Sequence, residues 1–124
     1  MGNKIRVLVH DPSAGNAVAE IDNDLQALYD TIGCQYIEVA TRWINGTAYD
    51  VICDEEGRLK DLDASAWQVG PGGMGLRHDM VGRLILCHHD ENGDFTGLTN
   101  GDITLINSRT ILCPWGSILL TDAL

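Results

Sequence analysis

Apolar and polar positions alternate through Lys4-Ile5-Arg6-Val7-Leu8-Val9-His10, with Ile5, Val7 and Val9 on one face. That is the period of a half-buried strand. The turn formers Asp11-Pro12-Ser13-Ala14-Gly15-Asn16 end it, and residues 17–21 return as the second arm of a hairpin. The period then lengthens. Ile21, Leu25, Leu28, Tyr29 and Ile32 recur at helical spacing, which predicts a helix over about 22–32. Asp22 or Asn23 is positioned to accept the free N–H groups of its first turn, and Asp24 suits the positive end of the dipole. Gly33 sits where a left-handed cap closes such a helix.

Residues 34–40 and 49–54 are rich in β-formers and flank the tight-turn pair Asn45-Gly46, so they read as strands. The stretch 61–79 is Asp- and Gly-rich around Pro71-Gly72-Gly73-Met74-Gly75 and is expected to be a surface loop or arm. Residues 81–88 form a further strand, and a short second helix falls near 100–107. An apolar tail over 108–124, with Trp115, Ile118, Leu119 and Leu120, needs burial within the domain or against another copy. The expected fold is one α+β domain over 1–124: a small mixed or antiparallel sheet with the 22–32 helix packed on one face.

Composition narrows the partners. Eight basic against eighteen acidic residues leave a net charge of −10, and the basic residues are scattered, so direct nucleic-acid binding is disfavoured. No apolar run reaches the ~20 residues of a membrane span, and no leader is visible, so the expected location is the cytoplasm. Cys34, Cys53, Cys87 and Cys113 lie far apart without a C-x-x-C pair, as free thiols in a reducing compartment do.

Several blocks also carry a resemblance: Ile21-Asp22-Asn23, Leu25-Gln26-Ala27-Leu28-Tyr29-Asp30-Thr31-Ile32-Gly33 and Ile37-Glu38-Val39. Ile52-Cys53-Asp54-Glu55-Glu56-Gly57-Arg58-Leu59 and Val81-Gly82-Arg83-Leu84-Ile85-Leu86 follow in the same order. From about Ile5 to Ile103 the chain resembles the domain of unknown function 3846 family. The resemblance implies a small α+β protein of bacteria, plasmids and especially bacteriophages, with no assigned activity and no catalytic residues to carry over. The Gly-rich insert around Gly72 and the apolar tail after Asn107 depart from the family's usual pattern.

Candidate chemistry is sparse. Trp67, Arg77 and His78 flank the Gly-rich segment and offer a stacking plane, a bidentate phosphate donor and a titratable donor, which makes them the candidate ligand-binding set. Gly70–Gly75 is not a phosphate loop, because Leu76-Arg77 stands where Lys-Ser/Thr is required. Cys87-His88-His89-Asp90 contains good metal ligands, but adjacent strand residues point to opposite faces, so no metal site is assigned. Asp90-Glu91-Asn92-Gly93-Asp94 lacks calcium-loop spacing and reads as a turn. Trp43, Trp115 and Leu119 are the candidate interface anchors. No catalytic residue and no cofactor are assigned.

The expected function is non-enzymatic binding by a phage or mobile-element accessory protein that sequesters a small, nucleotide-like ligand used in host defence. An acidic protein inhibitor covering a basic surface of a host enzyme is the alternative, and a metal-dependent enzyme the third. A homo-oligomer is expected through the apolar tail.

Overall fold

The computed structural model describes residues 3–73 and 75–123. In chain order the elements begin with strands β1 (Lys4–Asp11) and β2 (Gly15–Asp22), helix α1 (Leu25–Ile32), then β3 (Ile37–Ile44) and β4 (Thr47–Asp54). They continue with β5 (Ala64–Val69), a 3-10 turn (Pro71–Gly73), β6 (Leu76–Val81), β7 (Leu84–His89) and β8 (Phe95–Thr96). Helix α2 (Asn100–Ser108), β9 (Thr110–Cys113) and β10 (Gly116–Asp122) complete the described chain.

The first sheet runs β2-β1-β7-β4-β3, with β8 pairing beside β7, and every pairing in it is antiparallel. Its hairpins are built by local turns. Asn45 and Gly46 both take positive φ, 49° and 86°, the geometry that an Asn-Gly hairpin turn requires. The second sheet runs β6-β5-β10-β9. Here β5 and β10 are parallel, Ala66 lying opposite Leu119, while the outer pairs are antiparallel.

The core lies in two layers. Leu8, Val51, Leu84 and Leu86 of the first sheet meet Ala66, Met80 and Leu119 of the second, with Ile106 of α2 closing one end. On the opposite face of the first sheet, Ile5, Val7, Ile52, Ile85 and Cys87 pack with Leu28 and Ile32 of α1. Leu84, Ile85, Leu86 and Cys87 are all fully buried, because neighbours cover both faces of β7. Each such side chain contributes roughly 1.5–3 kcal/mol of burial.

These layers overturn the α+β expectation. The protein is mostly β, 53% strand in two sheets against 16% helix in two short helices. The physical reason is that segments read as loop and tail are strands. Residues 61–79 hold β5, the 3-10 turn and most of β6, paired through Trp67 opposite His78. The tail supplies β9 and β10, whose Ile118 and Leu119 are buried in the domain itself. The sheet they complete covers the face of the first sheet opposite α1.

Helix α1 is also shorter than expected. Its N-cap is Asp24, whose Oδ1 accepts from the Ala27 N–H at 2.8 Å, while the Asn23 amide donates instead to the Phe95 carbonyl. Gly33 closes it at φ 82°, as the sequence predicts. Helix α2 lies where a second helix is expected. Its Thr99 and Asp102 form a reciprocal capping box.

His10 ties the sheets together. Fully buried, it places Nδ1 2.6 Å from Asn16 Oδ1 and Nε2 3.0 Å from the Ser117 carbonyl of β10. Among the described residues no helix is long and apolar enough to cross a membrane.

Candidate ligand cleft

The β5–β6 hairpin ends in a glycine turn that closes on itself. Gly70 N–H donates to the Gly75 carbonyl and Gly73 N–H to the Gly70 carbonyl, both at 3.1 Å. Gly73 and Gly75 take φ of 77° and 78°, where a side chain is strained. Met74 lies outside the described residues. Beneath this turn is a cleft of about 480 Å³, lined by Val69, Pro71, Leu76, Leu120 and Asp122 among others, and by Arg109. The size suits a small organic ligand.

Arg109 is the C-cap of α2, and its carbonyl accepts from the Leu120 N–H at 2.8 Å. Its Nε is buried and has no hydrogen-bond partner. The other seven of the eight basic side chains are engaged. Arg6, Arg42, Arg77 and Arg83 bond to Asn100, Asp79, Gln68 and Asp11, and Arg58 to the Asp79 carbonyl. Lys4 and Lys60 pair with Asp22 and Asp54. Among the described residues Arg109 alone has no such partner. The nearby carboxylate of Asp122 is committed elsewhere, accepting from the Asn45 and Gly46 N–H groups. The cleft is therefore lined by one cation and one anion, Arg109 and Asp122, and among the described residues no hydrogen bond joins the two.

The three residues singled out in the sequence are divided by the strand pleat. Trp67 and His78 lie directly opposite each other on β5 and β6 and share a face. Leu120, which lines the cleft, is the neighbour of Trp67 across the parallel pair. Arg77 points to the other face, where its Nη2 donates to Gln68 Oε1 at 3.1 Å. Trp67 Nε1 is buried without a partner. Arg109 was not legible as a ligand residue. The one sequence signal for it is position: no other Lys or Arg follows Arg83.

The expected interface anchors also separate. Trp115 is 70% exposed in the β9–β10 turn, and Trp43 is half-buried on β3. Leu119 is fully buried between the sheets, so its apolar surface is already covered by its own chain.

His88 and His89 do point apart. His88 stacks on Tyr49 at 4.9 Å and places Nε2 3.1 Å from Asp102 Oδ2, while His89 Nδ1 lies 2.6 Å from Asp50 Oδ2. Burial pulls the Asp102 carboxyl up, but hydrogen bonds from Thr99, Tyr49 and His88 outweigh it and hold the group below its ordinary value. Burial raises the Cys87 thiol to about 12 and the Cys53 thiol to about 11, which leaves both unreactive near neutral pH. All four cysteines are free. Among the described residues no three His, Cys, Asp or Glu side chains converge as a metal site would require.

Fold and site together define a two-sheet β domain with a small cleft on its second sheet, lined by Arg109 and Asp122. A family model, the domain of unknown function DUF3846, matches residues 5–110, and the chain belongs to that family. No curated protein matches the chain, and no solved structure does.

Proposed function

We propose that the protein is a non-catalytic binder that holds a small, phosphate-bearing ligand of nucleotide type in the cleft beneath the 70–75 turn. The observation that carries this reading is the Arg109 guanidinium, the one basic group without a partner among the described residues, at the wall of a cleft of about 480 Å³. A planar guanidinium in a partly dry wall is a strong donor to phosphate oxygens. Trp67 and His78 are not in the wall of the cleft, but they share its sheet face, Trp67 being opposite Leu120 and His78 opposite Trp67.

Binding of this kind acts by stoichiometry. In a phage-type accessory protein, the setting the resemblance implies, it would remove a nucleotide signal of host defence from the host cytoplasm, a reducing compartment with which the four free thiols agree. Titration calorimetry with inorganic phosphate and a panel of linear and cyclic nucleotides tests it. The expected result is one site per chain, no turnover of the bound nucleotide, and at least tenfold weaker binding by Arg109→Gln. A panel that gives no heat rejects the reading.

A further inference from the structure

Apart from the two-residue β8 beside β7, four strands form edges of the two sheets: β2 and β3 in the first, β6 and β9 in the second. Three of them carry charge. β2 has Glu20 and Asp22, β3 has Glu38 and Arg42, and β6 has Arg77 and Asp79. Charges on an edge keep it from pairing with further strands. β9 has no such guard. It reads Thr110-Ile111-Leu112-Cys113, without charge or proline, and runs in unbroken register against β10.

Its side chains are apolar and open to solvent. Leu112 is 87% exposed and Ile111 40% exposed, and the turn that follows presents Trp115. Its backbone is also oriented to accept a strand. The Arg109 carbonyl bonds to the Leu120 N–H, so Arg109, Ile111 and Cys113 face β10 in alternation. The N–H and carbonyl of Thr110 and Leu112 consequently face outward.

We propose that β9 pairs antiparallel with β9 of a second copy of this chain, joining the two four-stranded sheets into one across a two-fold axis. Charge selects this occupant. Residues 110–120 contain no charged side chain, in a chain whose net charge is −10. Two copies repel elsewhere but meet here without opposing like charges, whereas a basic partner is drawn to the acidic surface instead. An antiparallel strand pair is moreover self-complementary, as a two-fold contact requires.

Native mass spectrometry and sedimentation of the full chain test the pairing. The wild type is expected at twice the 13.5 kDa chain mass. Leu112→Pro removes an outward N–H and leaves the β9–β10 ladder whole, and Leu112→Lys places a charge on the edge. Both are expected to run as folded monomers with unchanged circular dichroism. A monomeric wild type overturns the proposal and leaves the edge to a strand of another protein. A dimer that survives both substitutions overturns it as well, placing the contact elsewhere.

Discussion

The first sheet buries both of its faces, one against α1 and one against the second sheet, whereas the second buries one face and leaves Leu76, His78 and Ile111 of the other exposed. The first joins its two local hairpins only through β7, whose Leu86 lies opposite Leu8 of β1 and Val51 of β4. The second likewise depends on β5 finding β10, more than fifty residues further on, as Ala66 opposite Leu119 shows. The central strands of the first sheet are therefore enclosed on both faces. The second keeps an exposed face and the uncharged edge strand β9.

The largest test of this contrast is truncation at equally buried positions. Leu86→Ala, between the sheets, should cost about 2–5 kcal/mol in urea unfolding. Leu119→Ala should cost about the same with an unchanged denaturant slope if the second sheet melts with the first. A smaller loss with a shallower slope would break the picture and make the second sheet a separate unit.

The junction between the sheets gives a smaller effect. Gly116 has φ 155°, and a Cβ there would stand 2.5 Å from the Pro12 carbonyl oxygen, the acceptor of the Ser117 N–H. Gly116→Ala should destabilise the protein by about 1–3 kcal/mol, read as a lower melting temperature. Loss of near-ultraviolet signal from the exposed Trp115 would trace the displacement to the β9–β10 turn.

The smallest effect belongs to Asp11, at the end of the first hairpin. The Ser13 hydroxyl, with backbone N–H groups and Arg83, outweighs burial and lowers its carboxyl from 3.8 to about 2. A depressed carboxylate stabilises the fold above its unfolded value and loses that contribution as the pH falls from about 4 through about 2. With screening by solvent, Asp11→Asn should cost about 1 kcal/mol at pH 7 and nothing at pH 2, measured by paired thermal melts.

The same contrast explains what the sequence discloses. The alternation of β1, the Asn45-Gly46 turn and the Gly33 cap are local signals, and they mark the first sheet and α1 correctly. The α1 cap moved from Asp22 or Asn23 to Asp24 because Asn23 is claimed by Phe95, a contact no local pattern announces. β5 was hidden because Ala64-Ser65-Ala66-Trp67 is only weakly apolar and becomes a strand through its distant parallel partner. The candidate ligand residues divide for a related reason. Trp67 and His78 meet by register, Arg77 is turned away by the pleat, and the isolation of Arg109 is a property of the whole folded surface.

The parallel pairing of β5 with β10 also sets a timetable. On the ribosome β5 emerges long before β10 has been made, so one side of its backbone must wait for a partner still unsynthesised. During that interval Arg77 and Asp79 of β6 guard only the outer edge of the hairpin, and the β10 side of β5 stands without a strand partner. Folding of this protein should accordingly finish in a slow step governed by loop closure, with the final strand acting as the latch.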